Sequence, residues 1–181
     1  MIYVFLADGF EEIEALAPVD FLRRLSLDVE TVAIKGNFAV GAHGIKVTAD
    51  KTLAEIENAP APDAVVLPGG MPGSTNLFEC EAVKHAVLNA DKNGALVCAI
   101  CAAPFILGRW GLLNGKNATC FPGFENELKG ATVVDAGVCK DGNIITARGA
   151  GVAWEFGAAI GSYFKGESAA ENILRGMQWN R

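Results

Sequence analysis

The sequence predicts an α/β fold built on a mostly parallel sheet. Short β-rich runs alternate with stretches of helical periodicity along the chain, which is the pattern of repeated βαβ units. With 181 residues, 51% of them hydrophobic, the chain is long enough for one domain with a substantial core and too short for two comfortable domains. No linker, internal repeat or low-complexity tract interrupts the alternation. We therefore expect a single domain over residues 1–181.

The first third of the chain predicts two strands, a helix and an inserted hairpin. Ile2–Leu6 is a short apolar run typical of a buried strand. Glu11–Leu25 carries apolar residues at helical spacing, and Val29–Ile34 returns to a β-rich run. Two short runs flank a pair of glycines, and we expect Phe38–Val40 and Ile45–Val47 to form a small hairpin.

The rest of the chain continues the alternation. Ala64–Leu67 is a fully apolar strand pattern, and Cys80–Leu88 predicts a helix. Ala95–Ile100 predicts a central strand, which is followed by a helix over Ala103–Trp110. The weaker segments are three strands and then two helices: Ala118–Cys120, Thr132–Val134, Ile144–Thr146, Ala153–Tyr163 and Ala169–Met177.

Charge and cysteine content exclude several classes of function. The net charge is −6 with scattered Lys and Arg, so the chain lacks the positive field that attracts nucleic acid. No stretch approaches the roughly 18–20 apolar residues of a membrane span, and Asp8, Glu11 and Glu12 come too early for a signal peptide. Five cysteines, an odd number, fit reduced thiols better than a disulfide framework. We expect a cytoplasmic protein with neither nucleic acid nor membrane as a partner.

Cys101 lies where an apolar strand pattern breaks into small residues and continues as a helix. At a sharp strand-to-helix turn, a nucleophile elbow, the side chain stands clear of the sheet. The free N–H groups and positive dipole end of the following helix would favour its thiolate. A cysteine in an apolar strand is also often a small buried hydrophobe, and this segment alone leaves both interpretations open.

Three strand ends are predicted to line one crevice, because ligands bind parallel α/β sheets beyond the carboxyl ends of the strands. The first strand leads into Asp8–Glu14, the apolar strand over residues 64–67 into Pro68–Gly70, and the central one into Cys101. Gly69 and Gly70 form either a flexible turn or a loop whose bare N–H groups approach a substrate oxygen. Neither belongs to a nucleotide-binding fingerprint.

Glu14 is the candidate acid or base beside this cysteine. Glu11, Glu12 and Glu14 all lie in the first turn of the predicted helix, and interaction with the helix dipole suffices to explain Glu11 and Glu12. Glu14 instead lies on a largely apolar stripe with Phe10 and Phe21. Desolvation there would raise its pKa and allow it to exchange protons beside a thiolate. The alternative is that Glu14, too, only complements the dipole.

The chain has two histidines, and both precede Cys101. His85 is most simply a solvated helix residue, whereas His43 in the hairpin loop could edge the crevice. A triad in which the histidine follows the cysteine, as in papain-like proteases or class I glutamine amidotransferases, cannot be built from this chain.

Five segments in this order resemble the ThiJ/PfpI superfamily, in the branch of the Parkinson-disease-associated deglycase. They are Ala7–Glu14, Pro18–Asp20, Val65–Gly70, Ala99–Pro104 and Thr146–Gly149, and the resemblance covers essentially the whole chain. It implies a flavodoxin-like three-layer α/β sandwich, usually a homodimer, that requires no metal or organic cofactor.

The resemblance also implies site residues and an activity. It makes Cys101 the nucleophile and Glu14 its protonated partner, with backbone oxyanion donors at Gly70 and Ala102. Members of the branch resemble glutathione-independent glyoxalases (glyoxalase III), which convert methylglyoxal to lactate, and protein or nucleotide deglycases. We expect the Cys101 thiolate to attack an aldehyde carbon and form a hemithioacetal. Glu14 would then move a proton between adjacent carbons through an enediol.

Two residues depart from the family pattern. Ala102 stands where PfpI-type proteases carry a histidine, which removes the base that a protease needs. In Ala118–Pro122, Phe121 stands where some relatives of the deglycase branch carry a histidine across the crevice. The proton relay must then rest on Glu14 or on water, and we expect a weak or narrowly specific enzyme.

The other cysteines raise alternatives. Cys98 and Cys101 form a C-x-x-C pair, but Cys98 falls inside an apolar strand, which disfavours thioredoxin-like dithiol chemistry. Oxidation of Cys101 to the sulfinic acid would instead make the protein an oxidative-stress sensor or stress chaperone. Cys120, which the resemblance places near the crevice, is a candidate second thiol.

Overall fold

A seven-stranded sheet organises the fold. The structure is a computed structural model that describes residues 1–179. The first half of the chain forms β1 (Ile2–Leu6), α1 (Glu12–Arg24), β2 (Val29–Ala33), β3 (Phe38–Val40), β4 (Lys46–Thr48), β5 (Lys51–Thr52), α2 (Leu53–Ile56), β6 (Ala64–Leu67), α3 (Gly73–Glu79) and α4 (Glu81–Lys92). The second half forms β7 (Leu96–Ile100), α5 (Pro104–Arg109), β8 (Asn117–Ala118), β9 (Thr132–Val133), β10 (Val138–Asp141), β11 (Ile144–Ala147), α6 (Ala153–Lys165) and α7 (Glu167–Gly176).

The main sheet has the strand order β10-β11-β7-β6-β1-β2-β5. Every neighbouring pair is parallel except β10 and β11 at one edge. The carboxyl ends of β1, β6, β7 and β11 therefore meet at the same edge of the sheet. The predicted mostly parallel sheet is confirmed.

Helices cover both faces of the sheet and give it three layers. Successive strand residues point to opposite faces. Tyr3 and Phe5 pack in the core cluster formed with α3, α4 and α5, whereas Val4 and Leu6 pack in the cluster formed with α1 and α6. This arrangement confirms the predicted flavodoxin-like sandwich. No helix in the described part of the chain is long and apolar enough to cross a membrane.

Helix α1 is held against α6 by glycines on α6. A Cβ atom added at Gly157 would lie 3.1 Å from Pro18 Cα, and one added at Gly161 would lie 2.4 Å from Leu25 Cδ1. A side chain at Gly157 would press on the backbone of α1, whereas one at Gly161 would displace the Leu25 and Phe21 side chains. This close packing fixes the position of α1, whose amino end lies at the edge of the sheet described below.

Several elements differ from the sequence prediction. The hairpin forms, but its second arm is β4, so that Phe38 pairs with Thr48. The predicted strands over residues 118–120 and 132–134 shorten to β8 and β9, which pair with each other in a separate two-stranded sheet. Four elements have no counterpart in the prediction, and their sequences explain why. Strand β5 and helix α2 are short, β10 is a partly exposed edge strand, and α3 begins with the poor helix formers Gly-Ser-Thr-Asn.

Candidate active site

Cys101 occupies a strained turn between β7 and α5. Its φ is 65°, in the left-handed region that residues other than glycine rarely adopt. Two backbone hydrogen bonds hold the turn: the Cys101 N–H donates to the Ala147 carbonyl, and the Phe121 N–H donates to the Cys101 carbonyl, each at 2.8 Å. Such strain persists only where the surroundings impose it, and it is typical of functional sites. The predicted elbow is present.

Glu14, Gly69 and Cys101 meet at the carboxyl edge of the sheet. The Glu14 side chain is buried at 1% exposure, and its Oε2 accepts a 2.9 Å hydrogen bond from the Gly69 N–H. A Cβ atom added at Gly69 would lie 2.4 Å from Glu14 Oε2 and 2.6 Å from Cys101 Cβ. The missing side chain of Gly69 thus lets the carboxyl group and the cysteine approach each other. The three strand ends come together, as the rule for parallel sheets predicts.

Burial governs the electrostatics of this pair. Desolvation raises the pKa of Glu14 from 4.5 to about 7, although hydrogen bonding with Cys101 and with the Gly69 backbone opposes the shift. The other carboxyl oxygen, Oε1, is buried and makes no close hydrogen bond within residues 1–179. A buried carboxyl oxygen without a donor is more stable when it carries the proton itself. The sequence-based expectation of a raised pKa for Glu14 agrees with this environment.

The expected stabilisation of the Cys101 thiolate is wrong for the resting site. Burial, followed by the charge of Glu14, raises the pKa of Cys101 from 9.0 to about 12. Hydrogen bonding by the backbone N–H groups of Ala102 and Gly70 lowers the pKa of Cys101, but by less than burial and Glu14 raise it. Desolvation and a neighbouring carboxylate outweigh the helix terminus because both act directly on a half-buried sulfur. At neutral pH the proton therefore stays on the Cys101 thiol, while Glu14 exchanges between its protonated and ionised forms.

Gly70 and Ala102 place their backbone N–H groups beside the sulfur, since both lower its pKa. Gly70 has a φ of 86°, and a Cβ atom there would lie 2.4 Å from the Glu11 nitrogen. Only glycine fits this turn. The two residues named as oxyanion donors thus lie next to Cys101, and their oxyanion role stays a prediction.

Glu12 binds the backbone of the β3–β4 hairpin, a role that the sequence analysis did not predict. It is buried at 4% exposure, and its carboxylate accepts hydrogen bonds from the His43 N–H (2.9 Å) and the Ile45 N–H (3.4 Å), with the His43 Nδ1 at 2.9 Å. A Cβ atom at Gly41 would lie 2.2 Å from Glu12 Oε1. Glu12 therefore fastens the β3–β4 hairpin to α1, and the helix dipole alone does not explain it.

His43 lies beside Glu12 and Glu11 rather than at Cys101. Its exposed ring contacts Glu12 and lies 3.6 Å from Glu11 Oε2, and its hydrogen bond to Glu12 raises its pKa. Potential metal-ligand atoms of Glu11, Glu12 and His43 lie within 4.8 Å of one another. The hydrogen bonds among these groups and the backbone explain this cluster without an ion.

Phe121 borders the mouth of the site beside Gly149. The Phe121 ring is 47% exposed, and a Cβ atom at Gly149 would lie 3.4 Å from its Cδ2 and 4.0 Å from Cys101 Sγ. Gly149 follows the carboxyl end of β11 by two residues, and the Ala150 backbone contributes to lowering the pKa of Glu14. Sequence reasoning did not name Gly149 or Ala150 as site residues. Their place after a predicted strand was the available sequence signal, but only the pairing of β11 with β7 shows that this strand ends beside Cys101.

Cys120 lines a neighbouring cavity of about 440 Å³ with Thr119, Glu125 and Arg148. Arg148 forms an ion pair with Asp135 there. The Cys120 side chain is buried, and desolvation together with the charge of Glu125 raises its pKa to about 11. The second thiol is thus one residue from Phe121 in the chain but lines a cavity of its own.

The remaining cysteines show no dithiol centre. All five cysteines are free, and Cys98 is fully buried within β7, where desolvation raises its pKa far above the usual range. Cys98 of the C-x-x-C pair is therefore inaccessible, and its predicted place inside an apolar strand is confirmed.

Known proteins resemble this chain over nearly all of its length. A family model described as DJ-1/PfpI matches residues 1–162. Protein dj-1beta of Drosophila melanogaster is 35% identical over 96% of this chain and 94% of its own length. Protein DJ-1 homolog B of Arabidopsis thaliana is 39% identical over 93% of this chain, which spans only 39% of that protein. A structure of a DJ-1 superfamily protein from Salmonella typhimurium superposes with a TM-score of 0.94 at 37% identity, covering 99% of this chain and 98% of that one.

Proposed function

This chain belongs to the DJ-1/PfpI family, and we propose that it is a cysteine-dependent enzyme that acts on small reactive aldehydes without a cofactor. Membership supports a DJ-1-like function, a class that includes deglycase, glyoxalase and oxidative-stress-sensing activities. The observation that carries the proposal is the contact of the buried Glu14 carboxyl group with Cys101 across Gly69. A carboxyl group whose pKa is raised to about 7 can both accept and donate a proton at neutral pH.

The first step begins with the proton that the pair shares. The Cys101 thiol transfers its proton to Glu14, and the resulting thiolate attacks the aldehyde carbon of methylglyoxal. A C–S bond forms while the carbonyl π electrons move to oxygen, where the N–H groups of Gly70 and Ala102 stabilise the developing charge. Return of the Glu14 proton to that oxygen gives the hemithioacetal.

The second step moves a hydrogen between adjacent carbons. Glu14, again a carboxylate, removes the proton from the carbon bonded to sulfur, and the electron pair moves to the neighbouring carbonyl oxygen to give an enediolate. Glu14 then returns the proton to the neighbouring carbon, while the hydroxyl proton on the sulfur-bearing carbon passes to the neighbouring oxygen, which produces a thioester of lactate on Cys101. Attack by one water molecule releases lactate and restores the thiol, so the overall reaction is hydration with an internal redistribution of electrons. Deglycation would use the same hemithioacetal chemistry on a larger substrate.

Phe121 is expected to limit both the rate and the substrate range. Its ring borders the space beside Cys101 Sγ and Gly149 and offers no proton acceptor. Glu14 must then serve every proton transfer that the chain itself provides. We therefore expect slow turnover and a preference for small aldehydes with an apolar substituent.

Oxidation of Cys101 as a stress signal is the second candidate function. Gly69 and Gly149 leave the sulfur without flanking side chains on two sides, and the residue is only partly buried. Two equivalents of peroxide would convert the thiol to the sulfinic acid and release two waters. A protonated Glu14 could donate a hydrogen bond to the product.

We further propose that the protein is a cytoplasmic homodimer, as proteins of this family typically are dimers. Ile13 on α1 and Ile45 in the hairpin are 53% and 54% exposed. Glu12, which precedes Ile13, accepts a hydrogen bond from the Ile45 N–H, so both isoleucines lie where the hairpin meets α1. A second copy of the chain would cover that face, and Ile13→Arg should shift sedimentation towards the monomer.

The deciding experiment measures methylglyoxal loss and lactate formation by the reduced protein without glutathione. Cys101→Ser and Glu14→Gln should each abolish turnover, whereas the matched control Cys139→Ser removes a partly buried thiol of the edge strand and should leave it intact. Turnover that survives Cys101→Ser would exclude the nucleophile assignment. An inactive wild-type protein whose Cys101 is oxidised by peroxide doses that spare Cys139 would favour the sensor function.

A further inference from the structure

A groove of about 770 Å³ lies at the edge of the sheet opposite Cys101. It is bounded by α2, by the loop over residues 57–62 that precedes β6, and by α4. Tyr3, near the start of β1, lies on its floor and pairs in register with Val65, near the start of β6. The groove therefore lies near the amino ends of the strands, whereas the candidate active site lies at their carboxyl ends. Its volume falls within the range of small-molecule sites.

The floor of the groove presents a polar group without a partner in the described chain. Tyr3 is 6% exposed, and its hydroxyl makes no hydrogen bond to any residue within 1–179. The hydroxyl oxygen is open to the groove rather than sealed in the core, so it can hydrogen-bond with whatever enters the groove. A ligand or solvent in the groove would satisfy it. Burial also raises the pKa of Tyr3, so the hydroxyl stays protonated at neutral pH.

Apolar side chains form much of both walls of the groove, and Asn58 and Asn89 add amide groups. Ile56, Pro60 and Pro62 lie on one side, and Ala82 and Ala86 of α4 lie on the other. Opposed apolar walls accommodate an aromatic ring, which gains from burying its two faces.

The rim of the groove is acidic. Glu57 and Glu81 line it together with His85, and no Lys or Arg in the described part of the chain lines it. Lys84 lies 3.5 Å from Glu81 and compensates that carboxylate, which leaves Glu57 as the exposed charge. An anionic ligand would be repelled here, whereas an ammonium group would be attracted.

We propose that this groove is a second binding site, separate from Cys101, for a small arylalkylamine. The aromatic ring of this ligand carries an N–H group that donates to the Tyr3 hydroxyl. The aromatic body lies between the Pro60 side and Ala82, and the ammonium group projects to Glu57. An indole with an aminoethyl chain has each of these features. The site requires no covalent step and is independent of the proposed aldehyde chemistry.

The test uses four indoles of nearly the same shape. Tryptamine is a cation, tryptophol is neutral, indole-3-acetate is an anion, and 1-methyltryptamine lacks the ring N–H. Calorimetry should rank tryptamine above tryptophol, with no detectable binding of indole-3-acetate. Amide shifts in two-dimensional NMR should be confined to the groove, in residues 53–62 and the first two turns of α4.

Point variants show whether the indole binds in the groove. Tyr3→Phe should weaken tryptamine about fivefold, the effect of one hydrogen bond, and should leave 1-methyltryptamine unchanged. Ala82→Phe should block binding by filling the groove, whereas Lys92→Phe places the same side chain at an exposed α4 position outside it. Cys101→Ser should bind tryptamine as the wild type does.

Several results would overturn the proposal. One is the absence of groove shifts at millimolar tryptamine, and another is the appearance of shifts near Cys101 instead. Equal binding of indole-3-acetate would show that the acidic rim does not select the ligand. An unchanged affinity in Ala82→Phe, with circular dichroism showing a folded protein, would place any bound indole elsewhere.

Discussion

Replacing Gly69 with alanine is expected to disable the candidate active site while the fold is retained. Gly69 does not have a positive φ, so the backbone itself accepts an alanine. The entire effect therefore comes from one methyl group placed between Glu14 and Cys101. This makes the substitution a direct test of whether the approach of those two side chains matters.

The size of the effect follows from three distances. The new Cβ atom would lie 2.4 Å from Glu14 Oε2, 2.6 Å from Cys101 Cβ and 2.9 Å from the Ile100 carbonyl oxygen. Carbon atoms pack best at about 3.5–4.0 Å, so Cys101 must retreat by about 1 Å. Misplacement of reacting groups by about 1 Å costs about 10²-fold in rate. Overpacking also costs about 1–3 kcal/mol of stability, at about 2–4 °C in Tm for each kcal/mol.

The assay pairs thermal unfolding with methylglyoxal turnover at saturating substrate. Gly151→Ala is the matched control, because a Cβ atom there meets nothing within 4 Å. The control should keep both Tm and kcat. If Gly69→Ala kept wild-type turnover and Tm, the steric reasoning would be refuted. If it lost stability alone, the contact of Glu14 with Cys101 would be structural rather than catalytic.

Three further predictions concern the surroundings of the pair. Folding raises the pKa of Glu14 from 4.5 to about 7, so the folded protein holds this proton more tightly than the unfolded chain does. The free energy of unfolding, relative to that of Glu14→Gln, should therefore be highest below pH 4.5 and should fall as the pH rises through about 7. Denaturant unfolding at several pH values measures this difference. Glu12→Ala should cost about 1–3 kcal/mol and speed hydrogen exchange of the His43 and Ile45 amides, while Asp20→Ala, an exposed α1 control, should not. Phe121→His should raise kcat for methylglyoxal if an imidazole is what limits the rate; an equal rise in Phe121→Ala would assign the effect to space instead.

The strands and the elbow could be predicted because their signals are local. Ala64–Leu67 is apolar throughout, since both faces of a parallel strand are covered, and its bounds match the prediction. Cys101 was marked by the change from an apolar run to small residues. The parallel topology then placed Gly69 and Glu14 near it, because parallel strands end at one edge.

Other features could not be predicted from the sequence, because they depend on contacts between residues that are far apart in the chain. Glu12 resembles any carboxylate at the start of a helix until the hairpin 31 residues later supplies its hydrogen bonds. Gly149 is 48 positions after Cys101 and approaches the sulfur only because β11 pairs with β7. The groove above Tyr3 combines the start of β1 with α4 and has no local pattern at all.

The sequence by itself determined the α/β class, the position of the elbow and the identity of the cysteine and carboxylate that meet there. Periodicity and residue size, which are properties of neighbouring positions, marked Cys101 and Glu14 as candidates, and the family resemblance then assigned their roles. Only the tertiary structure decided the protonation of the pair. The helix terminus behind Cys101 was expected to favour a thiolate, but burial and the charge of Glu14 raise the pKa of the thiol to about 12. Desolvation depends on everything packed around a group, and that is known only once the chain has folded.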